Sequence, residues 1–129
     1  MDFDGDEEQE MVVLAPFHGD CLSVYKKFNG EYREVYTHPQ RIEFAHGIYA
    51  GTVGGEPAAV IGYRKGERNL FALTCKDGNK LEFETAVLDE NVGPANIFCY
   101  QAGRKEYIVS ANREIDEIAF YEVLNEKGE

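Results

Sequence analysis

The first ten residues of the chain, MDFDGDEEQE, hold six acidic side chains. Counted from Asp2, the carboxylates of Asp2, Asp4, Asp6 and Glu10 stand at loop positions 1, 3, 5 and 9. Hard oxygen ligands at alternating positions can converge on one Ca²⁺ when the chain wraps around it, with a glycine allowing the bend. Gly5 supplies that bend, and Glu8 can fill in through its backbone carbonyl. The candidate metal ligands are therefore Asp2, Asp4, Asp6, Glu8 and Glu10, and the expected cofactor is Ca²⁺. The spacing is not that of an EF-hand, because glycine stands at position 4 and the twelfth residue is Val13. A solvated, turn-forming acidic segment is the simpler alternative.

Other chemistry would have to come from scattered polar residues. No nucleophile elbow, phosphate loop, dinucleotide fingerprint or zinc spacing is present, and the glycine turn GTVGG at Gly51–Gly55 does not match a phosphate cradle. His46 is the candidate catalytic residue: an imidazole with an arginine nearby can move a proton next to a carbonyl. Tyr49, Arg64, Asn96, Asn112 and Arg113 join His46 as candidate ligand-binding residues through hydrogen bonds and guanidinium contacts. The plainer reading is that turn residues are polar because they are solvated; it applies most strongly to His18 and His38, and it makes Arg64 and Arg113 surface ion-pair partners.

The elements that must position these residues are short strands. EMVVLA (Glu10–Ala15), Cys21–Lys27 and Glu31–Thr37 follow one another, with Asn29-Gly30 as a hairpin turn and His38-Pro39 as a stop. Strands are expected next over His46–Val53, Pro57–Tyr63, Asn69–Cys75 and Leu81–Leu88, the last after an Asp77-Gly78 turn. The final three are Asn96–Gln101, Glu106–Ala111 and Glu117–Val123, and no stretch has a helical period. A shift of 48 residues lays Met11 over Ala59 over Tyr107, and Leu22 over Leu70 over Ile118, without a gap. A strand-built repeat of that length predicts an all-β fold of β-propeller blades, each a four-stranded antiparallel sheet.

With strands lettered a to d in each blade, the chain holds about two and a half blades: a partial first (1–44: acidic loop, b, c, d), a complete second (45–92) and a third without its outer strand (93–129). That phasing puts the b-to-c and d-to-a turns, carrying His18, Arg64, Lys65, Asn112, Arg113 and His46, on one face. The acidic loop falls on the other. His46, Tyr49 and Asn96 are expected at the mouth of a central channel. Blades cannot bury their faces alone, so self-association or further propeller residues are expected to complete the ring.

The run DFDGDEEQEMVV resembles the Asp-x-Asp-Gly-Asp loop of FG-GAP and VCBS-type propeller repeats, in which a calcium loop leads into an apolar strand. The run VLDENVGPANIFCY followed by EYIVSANREIDEIAFYE is similar to the outer strand, turn, inner strand and final strand pair of the same repeats. The resemblance covers nearly the whole chain in pattern and implies a calcium-associated propeller segment of the kind found in adhesion modules and beside carbohydrate-active enzymes. The chain departs from it in the loops Gly51–Glu56 and Gln101–Glu106, which lack the aspartates, and in Phe120-Tyr121, where such repeats often carry Trp.

Charge narrows the partners. A formal net charge of −11 lacks the basic footprint that nucleic acid or an anionic membrane requires. No apolar run approaches 18 residues and no signal-peptide pattern follows Met1, so a cytoplasmic setting is expected, with secretion open if the chain is a fragment. Cys21, Cys75 and Cys99 are odd in number, lack metal spacing and sit in strands, which reads as buried reduced thiols. The functional expectation is a repeat module that binds a carbohydrate or another protein; the alternative is a sugar-directed lyase or isomerase with its site near His46.

Overall fold

A computed structural model of the chain describes residues 1–15, 20–77 and 80–124. The fold is all-β, and the described residues form ten strands in three antiparallel sheets. The first sheet is a meander of β1 (Met11–Ala15), β2 (Cys21–Phe28) and β3 (Glu31–Thr37). The second orders β4 (Ala45–Val53), β5 (Glu56–Tyr63), β6 (Leu70–Asp77) and β7 (Lys80–Asp89) side by side. The third holds β8 (Pro94–Ala102), β9 (Lys105–Asn112) and β10 (Glu117–Val123), with one 3-10 turn at Arg113–Ile115. Among the described residues each sheet is open and none closes on itself. None of the described helices is long and apolar enough to cross a membrane.

Local chemistry explains the hairpins. Asn29 and Gly30 take φ of 50° and 85° between the paired Phe28 and Glu31, the two left-handed residues a type I′ turn requires. The link between Ala15 and Cys21 and the expected Asp77-Gly78 turn lie partly outside the described residues, and His18 lies outside them.

The second sheet sits between the other two. On β5, Ala59 and Ile61 enter a core with Leu22, Val24, Ile42, Phe71 and Leu73, whereas Val60 enters another with Leu70, Val92, Ile97 and Ile108. Alternate side chains of one strand thus serve two cores, which is why β5 is apolar without alternation. The third sheet approaches closely because glycine lies beneath it. A Cβ on Gly62 would stand 2.4 Å from Pro94 Cβ, and one on Gly47 3.1 Å from the Ile97 side chain.

The strand registers refine the repeat. Val12–Val24 in the first sheet and Val60–Ala72 in the second are equivalent pairs at a shift of 48. In the third sheet the pair facing the same way is Val109–Phe120, so Phe120 keeps the shift of 48 from Ala72 but Val109 stands 49 from Val60. A gap-free alignment therefore puts Tyr107 and Val109 on the wrong faces. Between the equivalent pairs, the chain from Val109 to Phe120 is one residue shorter than that from Val60 to Ala72, and the 3-10 turn with Asp116 at φ 52° accommodates the difference.

Candidate functional site

The acidic loop folds back on the start of β1. Phe3 anchors it in the first core, edge-on to Phe83 at a centroid distance of 5.0 Å, and Glu10 N–H donates to the Met1 carbonyl. Gly5, at φ 74°, makes the bend. Asp2 accepts the backbone N–H groups of Gly5 and Glu7 at 2.9 and 2.8 Å, and Asp6 accepts that of Glu8 at 2.9 Å. The result brings one carboxylate oxygen each from Asp2, Asp4, Asp6 and Glu10 within 4.8 Å of one another. Glu8, expected to contribute through its backbone carbonyl, is exposed, and its N–H donates to Asp6.

A cation already stands in this cluster. The Lys26 ammonium, on β2, lies 3.1 Å from Asp4 Oδ2, 2.5 Å from Asp6 Oδ2 and 3.2 Å from Glu10 Oε2, with its side chain 10% exposed. Burial works against the charged amine, but the hydrogen bonds to Asp6, Asp4 and Glu10 outweigh it and hold Lys26 above the ordinary lysine value. Glu10 is buried in the same place, and its pKa is pushed up by that burial against the opposing help of Phe3 N–H and Lys26. Lys26 was not among the residues singled out from the sequence. The signal was there: Leu22, Val24 and Lys26 share one face of β2, so the alternation alone places a lysine on the buried side.

At the end of the sheets that carries His46, the side chains are joined to one another. His46 Nδ1 donates to the Ala95 carbonyl at 2.7 Å in the tautomer that this acceptor requires, tying β4 to β8. Arg64 Nε donates to Glu114 at 2.8 Å, and its guanidinium lies over Phe44 with Lys65 beside the same ring. His46 and Arg64 thus do share one region, through Phe44. Arg113 is exposed, 3.8 Å from Asp116. Asn112 is fully buried: its amide donates to Glu117 at 2.8 Å and to the Tyr121 hydroxyl at 3.1 Å and accepts from Ser110 at 2.6 Å. Tyr121 in turn donates to Asp89 at 2.7 Å, and its pKa is raised to about 12 by burial first and by that bond.

Tyr49 and Asn96 each stand in other surroundings, although Asn96 directly follows the Ala95 that His46 binds. Tyr49 lines a cavity of about 350 Å³ together with Thr52, Cys99, Tyr100, Gln101 and Glu106, whereas Asn96 is exposed on the outer face of the third sheet. Burial and the Glu106 charge push the Cys99 thiol up to about 11. All three cysteines are half-buried and unbridged.

That outer face carries a row of exposed apolar side chains. Phe98, Val109 and Phe120 are directly paired across β8, β9 and β10, with Tyr100 and Tyr107 in the next row and Ile118 beyond. Phe98, Phe120 and Ile118 are 60, 59 and 70% exposed.

Comparison with protein-family models, with curated proteins and with solved structures finds no match to this chain.

Proposed function

We propose that the chain is a β-propeller repeat module of FG-GAP or VCBS type, and that its function is protein binding by stacking of sheets. The observation that carries this reading is the outer face of the third sheet. Its Val109 and Phe120 correspond in register to Val60 and Ala72 of the second sheet and to Val12 and Val24 of the first. In the first two sheets that face packs against the sheet that follows; in the third it is open. Large exposed apolar patches of this kind mark interaction surfaces.

The complementary surface is also on the chain. Met11, Val13 and Tyr25 on β1 and β2 stand one repeat before Ala59, Ile61 and Leu73, the side chains with which the second sheet covers the first. A second copy placed head to tail would thus reuse a contact the chain makes internally. Such heterologous contacts build rings where the rotation closes. Light scattering over a concentration series tests this: wild type associates and Phe120→Lys is monomeric with an unchanged far-UV spectrum. Wild type that stays monomeric throughout would overturn it.

A carbohydrate ligand is the second reading, and the cavity around Tyr49 favours it, since hydroxyl, amide and carboxylate groups beside aromatic rings suit a polyhydroxylated molecule. Thermal shift with a sugar panel, repeated on Tyr49→Phe and Glu106→Gln, checks it. Lyase or isomerase chemistry at His46 has less to support it, because the ring binds a backbone carbonyl and the nearby Arg64 binds Glu114.

A further inference from the structure

We infer that the Lys26 ammonium is the resident cation of the acidic loop, standing where the aspartate spacing offers a place to calcium, so that the loop holds its shape without metal.

The donor set leads to this. An ammonium has three N–H groups, and Lys26 has three carboxylate neighbours, Asp4 Oδ2, Asp6 Oδ2 and Glu10 Oε2. Most of the remaining oxygens are also engaged. Both of Asp2 accept backbone N–H groups, Asp6 Oδ1 accepts Glu8 N–H, and Glu10 Oε1 accepts Phe3 N–H at 2.6 Å. Only Asp4 Oδ1 is buried without a partner among the described residues. Calcium takes about 6–8 oxygens at roughly 2.3–2.6 Å. A divalent ion among these carboxylates would stand against the Lys26 ammonium, which already occupies three of them at 2.5–3.2 Å.

Lysine at this place is not an incidental contact. Position 26 has the parity of Leu22 and Val24, both fully buried, and lysine is almost never buried unless paired. Its counterpart one repeat later is Thr74 on β6, which has no such loop beside it. The cation and the acidic loop therefore occur together in the one repeat that has both. The ammonium also differs from a metal in being covalently part of β2: it pins the loop to the strand, and neither chelator nor dilution removes it.

Thermal unfolding and calorimetric titration of wild type and Lys26→Met, in chelator and in calcium, test the inference. The expected result is a wild-type melting temperature that neither chelator nor calcium moves, without binding heat. Lys26→Met should melt lower in chelator, recover in calcium and show binding heat that wild type lacks. Calcium-dependent stabilisation of wild type would overturn the inference, as would a Lys26→Met protein as stable as wild type in chelator. Should Lys26→Met fail to fold in either buffer, Lys26→Arg decides: folding in chelator supports a resident side-chain cation, and dependence on calcium overturns it.

Discussion

Two side chains, Asn112 buried and His38 half-buried, carry more structural consequence than their types suggest. Asn112 joins β9 to β10 and, through Tyr121 and Asp89, joins the third sheet to β7. Removing its amide takes the acceptor from the fully buried Ser110 hydroxyl and a donor from Tyr121, so Asn112→Ala is expected to lower stability by about 1–3 kcal/mol in urea unfolding. A loss within error would show that water replaces the amide. His38 is half-buried, stacked on Phe71 at 5.2 Å with Nδ1 3.0 Å from the Tyr36 hydroxyl. Burial lowers its pKa, so between the folded and unfolded values the unfolded chain binds more protons. Its contribution is present above the ordinary histidine value of about 6.5 and is lost as pH falls through the folded value. The urea midpoint should therefore decline on acidification across that range, with a shallower decline in His38→Asn. Equal slopes would remove His38 as the cause.

Strand pairing and sheet spacing set the next level. The third sheet can lie against the second only because Gly62 and Gly47 present no side chain to Pro94 and Ile97. Gly62→Val would drive methyl groups into a proline ring held by β8, and overpacking of this kind costs about 1–3 kcal/mol. Gly103, in the β8–β9 turn at φ 65° with open space around it, provides the contrast. Gly103→Asn should stay within about 0.5 kcal/mol of wild type, since asparagine tolerates that backbone. Comparable losses at both positions would mean that backbone freedom, and not close approach, is what Gly62 provides. Strand existence was legible from alternating apolar residues and turn glycines, and all ten strands stand within two residues of the ends read from sequence. The register of the third repeat was not. A turn shortened by one residue reverses which side chains of β9 face the core, and a period of two hides a slip that the pairing of Val109 with Phe120 makes plain.

For the whole molecule, the open outer face of the third sheet is the feature with the largest expected effect. Because Met11, Val13 and Tyr25 on β1 and β2 repeat the pattern with which the second sheet covers the first, association of copies should bury Phe98 and Phe120 together. Phe98→Lys and Phe120→Lys are expected to abolish association separately while leaving the melting temperature of the monomer unchanged or higher. A Met11→Lys variant should do the same from the opposite surface. If only the third-sheet substitutions act, the partner surface is not β1–β2. The net charge of −11 adds a salt dependence: screening the repulsion between like-charged copies should strengthen assembly.

Amino-acid order alone determined the strands, their grouping as three, four and three, the hairpin at Asn29-Gly30 and the convergence of acids around Gly5. Each of these is local, resting on side-chain alternation, on φ preferences or on residues within one loop. Tertiary structure decided the rest. It put Lys26 among Asp4, Asp6 and Glu10, tied His46 to Ala95, and buried Asn112 while leaving Asn96 in the open. Those outcomes depend on which sheet covers which face. That is a contact between residues 16 to 49 positions apart, and side-chain types in one linear stretch do not encode it.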